Sequence, residues 1–287
     1  MTELIALDIG MALLKGITGK IGTKMFDSVF PDSKVPSYFD KVYKQIAEIV
    51  KKEIKPDTIN EINGQIKGIR SYVCNVYAPR KESGASKQEL FDMIKDNAYD
   101  IAVHMVAVLQ EDAYAEPGLG VFVIGAGMHL TLLQELALVD PNVSDPTESS
   151  YAVSVQKYAK EYVAFVDRTY DSIVKKRTND ATITEVKIKS KTILPPPEYH
   201  STPGIEYCSK WTDQFLGKTY KDSTILEHTR TSWSSGTNVE MENRSKKKRS
   251  DYIQQVKKDL VKSLHDPIGV ANLWRKLEKQ PIPPQSP

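Results

Sequence analysis

Cysteine is nearly absent from this chain. Cys74 and Cys208 are the only two in 287 residues, far apart and outside any CxxC or Cys/His cluster. That excludes a disulfide-framed mini-domain and a cysteine-based zinc site, and no metal is expected. Net charge is also nearly absent, with 39 Lys and Arg against 37 Asp and Glu. No global basic field exists for nucleic acid, which is not expected as a partner. The N-terminus, MTELIALDIGMALLKGITG, lacks a basic n-region and carries Glu3 and Asp8, so it does not read as a signal peptide. The expectation is a soluble protein, released or secreted by a non-classical route. There is no GxSxG, HExxH or P-loop, and the glycines at 118, 120, 125 and 127 do not form a GxGxxG after a strand. Neither an enzyme site nor a cofactor is expected.

What the chain does have is one long apolar run, GLGVFVIGAGMHLTLLQELALV at 118–139, whose only charge is Glu135. As a helix it would be about 33 Å long, slightly more than a bilayer's hydrocarbon core of about 30 Å. The other helical segments are amphipathic. A helix apolar on all sides in a soluble protein must be wrapped by other helices. This leaves two readings: the buried centre of an ordinary helical bundle, or a bundle that hides a membrane-grade helix until it is needed.

Around this run the periodicity predicts helices. Residues 4–30 read as a first helix, weakened by Gly10, Gly16, Gly19 and Gly22. A second has the seam Phe39, Val42, Ile46 and Ile49. A third, capped by Asp57, carries Ile59, Ile62, Ile66, Ile69, Val73 and Val76. Ser86 with Glu89 forms a capping box for a fourth, with Leu90, Ile94, Ile101, Met105 and Val108 inward. Ser149 or Ser150 starts a long helix through Tyr151, Val155, Tyr158, Tyr162, Phe165, Thr169 and Ile173. The pattern then changes to period two: Val186 and Ile188 alternate with Lys187, Lys189 and Lys191, and Ile205, Tyr207, Trp211 and Phe215 share a face before a turn at Gly217. Pro195, Pro196 and Pro197 form a stiff break. Ser250 is expected to cap a last helix with Ile253, Val256, Leu260 and Leu264, interrupted at Asp266 and Pro267. The proline-rich 281–287 reads as a disordered tail. The expected fold is an all-α bundle of about seven helices around a central apolar helix, with a small β insertion before the last helix. Its divisions are 1–180 for the bundle, 181–249 for the insertion and 250–280 for the closing helix.

LGVFVIGAGMHLTLLQE at 119–135 resembles the central helix of the N-terminal domain of the insecticidal delta-endotoxins, the crystal toxins of bacilli, whose pattern is LPxFxQxANLHLxLLRD. Leu119, Phe122, Ala126, His129, Leu130, Leu132 and Leu133 fall on matching positions. VFPDS at 29–33 resembles the family's FWP junction, and the flanking helices come in the same order. Gly120, Ile124, Gly127, Gln134 and Glu135 depart from the pattern, and the β insertion is not part of the usual toxins. The resemblance implies a pore-forming domain in which the hairpin at about 86–139 inserts into a target-cell membrane, with those seven residues on the inserting helix and a homo-oligomer in the membrane. No counterpart of the family's two β-rich domains follows in this sequence. Surface binding would then fall to the β insertion, a basic loop, a receptor or a second toxin component. The alternative is a non-lytic binding or partner protein, a toxin component or regulator, on the same fold.

Four further constellations each carry two readings. Asp92, Asp96 and Asp100, with His104 next, form an acidic stripe opposite the apolar seam. It is either a solvated face or a pore lining, since rings of carboxylates favour cations. His129 is either a hydrogen-bonded core histidine or a bundle-holding contact that protonation loosens. Lys246, Lys247, Lys248 and Arg249 are expected in a mobile loop, open to proteases or to anionic headgroups. Tyr207, Trp211, Phe215 and Tyr220 either pack on neighbouring helices or form a surface for sugar or lipid.

Overall fold

The structure is a computed structural model, and it describes residues 37–51, 55–193, 204–226, 235–263 and 267–282. The expected helix at 4–30, the VFPDS junction, the triple proline and residues 283–287 lie outside the described residues. The chain divides into two compact units, residues 1–173 with 261–287, and residues 174–260.

The first unit is a helical bundle. It contains α1 (Ser37–Val50), α2 (Pro56–Tyr72), α3 (Ala78–Glu82), α4 (Lys87–Ile94), α5 (Asp100–Gln110), α6 (Leu119–Leu138), most of α7 (Ser150–Thr178) and, near the C-terminus, α9 (Pro267–Leu277). At its centre runs α6, apolar all round. Every residue from Val121 to Leu138 is buried, and α1, α4, α5 and α9 all pack against it. The all-α fold around a central apolar helix is therefore present. Ser86 caps α4 by accepting from the Glu89 N–H at 3.2 Å, while the Glu89 side chain pairs with Arg80 rather than closing the box. Pro56 opens α2 with Asp57 inside its first turn, so the acid favours the helix dipole there and caps nothing.

Two π-helical turns correct the expected seams. One, Val73–Tyr77, joins α2 to α3; the Ala78 N–H reaches back five residues to the Val73 carbonyl. Pro79 follows Ala78, as the second residue past the turn. In a regular helix its ring would clash with the carbonyl four residues back, and the wider turn relieves that clash. The second, Lys95–Tyr99, joins α4 to α5, and here side-chain donors from Asn97 and Tyr72, each at 3.0 Å, occupy the Met93 carbonyl. Each turn carries an extra residue and rotates the helix beyond it. The inward series is thus Ile62, Ile66, Ile69, Val73, Tyr77, not Val76, which is 47% exposed. Along α4 and α5 it is Leu90, Ile94, Ala98, Ala102, Met105, Leu109, with Ile101 turned outward.

The second unit holds a three-stranded antiparallel sheet in the order β1-β2-β3, made of β1 (Lys187–Ile193), β2 (Gly204–Asp213) and β3 (Lys218–Leu226). Gly217 supplies the positive φ of 64° that the β2–β3 turn needs. Most of α8 (Ser235–Ser263) belongs to this unit. Trp211 stacks on Tyr220 at 3.9 Å between centroids, and both rings meet Tyr252 of α8 at 5.1 Å. Trp211 and Tyr220 of the expected aromatic face are therefore packing, whereas Phe215 lies beyond the end of β2, with the Arg177 guanidinium 4.5 Å from its ring. The sequence reading missed β3, because its polar KTYKDST lacks apolar alternation.

Two expectations about the C-terminal part need correction. The helix expected from Ser250 begins at Ser235, so Lys246, Lys247, Lys248 and Arg249 are helical and not a loop. Lys, Arg, Glu and Met are good helix formers, and a Glu242–Lys246 pair at i, i+4 supports the turn. The tail does not begin at 281: Ile282 is buried against Ala137, Leu138 and Ala152, and the Pro281 carbonyl accepts from Gln134 at 2.7 Å.

Candidate membrane-acting site

The seven residues assigned to the inserting helix, Leu119, Phe122, Ala126, His129, Leu130, Leu132 and Leu133, are all buried in α6. Six of them, Leu119, Phe122, Ala126, His129, Leu130 and Leu133, share one face of the helix with Leu132 beside it, and Val121, Ile124 and Met128 on the opposite side are buried too, as a helix wrapped on all sides requires. Phe122 sits between Phe165 at 4.2 Å and Tyr162 at 5.4 Å. Gly125 lets α5 approach closely, since a Cβ there would lie 3.0 Å from the terminal methyl of Met105. By length and mean hydropathy, α6 is the one helix among the described residues that could cross a bilayer, and here protein covers it fully.

His129 shares a 2.6 Å hydrogen bond with the Tyr162 hydroxyl through Nδ1. The rings of Tyr158, Tyr99 and Tyr162 surround it at 4.9, 5.3 and 5.9 Å, and Nε2 has no polar partner among the described residues. The expected hydrogen bond to a neighbouring helix is present. Burial raises the Tyr162 hydroxyl above its ordinary pKa, so it remains a neutral donor or acceptor.

Glu135, the one charge of the apolar run, stands in the last turn of α6, and its partners were not expected from the sequence. Glu135 is fully buried, and its Oε1 accepts from the Tyr77 hydroxyl at 2.5 Å and pairs with the Lys81 ammonium. Its Oε2 has no partner among the described residues. Burial, then the Glu135 charge, pushes the Tyr77 hydroxyl far above its ordinary pKa, which keeps it a donor. The signal was present: a lone acid in an apolar helix requires a partner, and the π turn that swings Tyr77 inward supplies one.

Asp92, Asp96, Asp100 and His104 all lie on the exposed face of α4, the second π turn and α5. Gln88 donates to both Asp92 oxygens at 3.0 Å. This hairpin partner of α6 thus presents water with an acidic face and α6 with an apolar one.

The basic run serves the second unit. Arg249 donates to the Thr184 and Ile183 carbonyls at 2.8 and 2.6 Å and pairs with Asp180, while Lys248 lies 3.7 Å from Asp222. Lys246 and Lys247 are exposed. The hub of this unit is Asp213, fully buried and also missed. Its Oδ1 and Oδ2 accept from Arg177 at 3.3 and 2.7 Å, Oδ2 also accepts from the Tyr252 hydroxyl at 2.6 Å, and Oδ1 caps the Phe215 and Leu216 N–H groups. Burial pushes the Asp213 carboxyl up, but the Arg177 and Tyr252 hydrogen bonds and the Arg177 charge outweigh it and hold its pKa low.

No group of three or more His, Cys, Asp or Glu suited to a metal occurs among the described residues. None of the curated proteins matches the chain. The family described as delta endotoxin, N-terminal domain, matches residues 9–190, more than half of the chain. With a central apolar helix wrapped by amphipathic ones, the chain belongs to the delta-endotoxin N-terminal domain family, the pore-forming helical domain of crystal toxins.

Proposed function

We propose that this protein permeabilises a target-cell membrane by releasing the hairpin 86–139 from the bundle. The observation that carries the reading is α6: 20 residues, one charge, full burial, and an amphipathic partner directly before it. In water the cost of exposing α6 keeps the bundle shut. At a bilayer that cost vanishes, because lipid covers the apolar surface instead. Opening must break the Glu135 contacts to Tyr77 and Lys81, the His129–Tyr162 bond and the Phe122 packing on α7. In the inserted state α6 faces lipid, and Asp92, Asp96, Asp100 and His104 face the aqueous lumen of a homo-oligomer.

The test is dye release from liposomes. A disulfide is engineered between α6 and α7, near His129 and Tyr162, with Cys74 and Cys208 changed to serine. The oxidised form should fold and stay inactive, and reduction should restore release. Unchanged release from the crosslinked form would show that insertion proceeds without this hairpin. A wild-type protein inert on liposomes and cells, across pH and after trypsin, would sink the pore-forming reading and leave a non-lytic partner protein.

A further inference from the structure

Strand register sorts the side chains of the sheet onto two faces. One face carries Trp211, Tyr220, Ser209 and Asp213 and packs inward. On the other, Lys187 pairs with Lys210, and Lys210 with Lys221, so three lysines stand in one row across all three strands. Lys189 and Lys191 extend the same face along β1, and all five are exposed. Glu206, opposite Lys191, is the only acid that β1–β3 place on this face, and none of the five lysines joins an ion pair among the described residues. Neighbouring strands lie about 4.8 Å apart, so the row is about 10 Å wide and the β1 lysines run about 13 Å along the strand. Like charges directly opposite each other destabilise a sheet.

We propose that this lysine face docks the protein on an anionic phospholipid bilayer. The inference rests on the membrane-acting reading above in choosing a bilayer over other anionic partners. The composition of the face favours the same choice. It has no arginine, whose planar fork recognises individual phosphates bidentately, and no aromatic ring on which a base could stack. Flexible ammonium groups on a flat sheet suit a fluid layer of headgroups, where charge density matters and fixed geometry does not. The row is invisible to net charge, which is close to zero for the whole chain.

The test is sedimentation binding of the full chain to phosphatidylcholine vesicles with and without about 30% phosphatidylserine. Binding should require phosphatidylserine and weaken as salt rises. Near an anionic surface each lysine strengthens binding about fivefold, so Lys187→Gln, Lys210→Gln and Lys221→Gln together should weaken it about a hundredfold. A control with the same charge change at exposed positions elsewhere, Lys67→Gln, Lys160→Gln and Lys258→Gln, should lose far less. If the triple variant does not fold, Lys210→Gln alone, at the centre of the row, should still cost about fivefold. Equal binding to both vesicles, equal loss in both triple variants, or tighter binding to heparin or duplex DNA than to vesicles at the same salt would overturn the assignment. Dye release is scored separately. Binding without release would overturn the pore reading alone, and release without a phosphatidylserine preference would overturn the lysine face alone.

Discussion

The Glu135 cluster gives the sharpest test of how the bundle is held shut. Glu135 is 0% exposed, and one of its oxygens takes both Tyr77 and Lys81, whose side chain is 25% exposed. Lys81→Met removes the one cation paired with Glu135 among the described residues and leaves the carboxylate inside the bundle with a single phenol. Losing one partner of a buried ion pair costs about 3–5 kcal/mol, against about 0–1 kcal/mol for a surface pair. For a chain of this size the larger cost lowers the melting temperature by on the order of 10 °C. Glu135→Gln leaves a neutral acceptor for Tyr77 and an ammonium that can turn to water, so it should cost about 1–2 kcal/mol. In the double variant, Lys81→Met should add little, because no charge is then stranded. Urea unfolding followed by far-UV circular dichroism on the four proteins gives the coupling, expected at about 2 kcal/mol or more. Because hairpin release must break these contacts, Glu135→Gln should also release dye faster than wild type. A cost for Lys81→Met below about 1 kcal/mol would refute the reasoning, since the pair would then behave as a solvated one.

At Gly125, substitution by Val should destabilise the bundle by about 1–3 kcal/mol, and Ala by less because the flexible Met105 can shift; thermal melts of the two variants check the order. In the second unit, the depressed Asp213 pKa means that its stabilisation is present above the carboxyl's unfolded value and lost as pH falls through the lower folded one. Arg177→Met should remove that acid sensitivity along with stability, read from the Trp211 environment by near-UV circular dichroism between pH 6 and 2. In planar bilayers under a salt gradient, Asp96→Asn with Asp100→Asn should lower cation preference and leave folding almost unchanged. An identical reversal potential would return the acidic face to an ordinary solvated role.

The sequence by itself determined the central helix and most of its wrapping. A twenty-residue helix that is apolar on every side and carries one acid can only be covered by other helices in water, and the three-and-four spacings of Ile62, Ile66 and Ile69 leave one way to face inward. The exposed acidic face came from the same logic, because charges spaced along a helix opposite an apolar seam must point to solvent. Tertiary structure decided what periodicity cannot carry. The π turns arise from Pro79 and from side-chain donors on the Met93 carbonyl, and one inserted residue exchanges Val76 for Tyr77 in the core. The partners of Glu135 lie 54 and 58 residues away along the chain, and those of Asp213 36 and 39, so no local pattern announces them. The basic run is good helix-forming sequence that reads as a solvated loop until α8 seats Arg249 on the carbonyls of residues 183 and 184. The lysine row exists only in strand register: residues 187, 210 and 221 are unrelated in sequence and become neighbours when backbone hydrogen bonds align three strands.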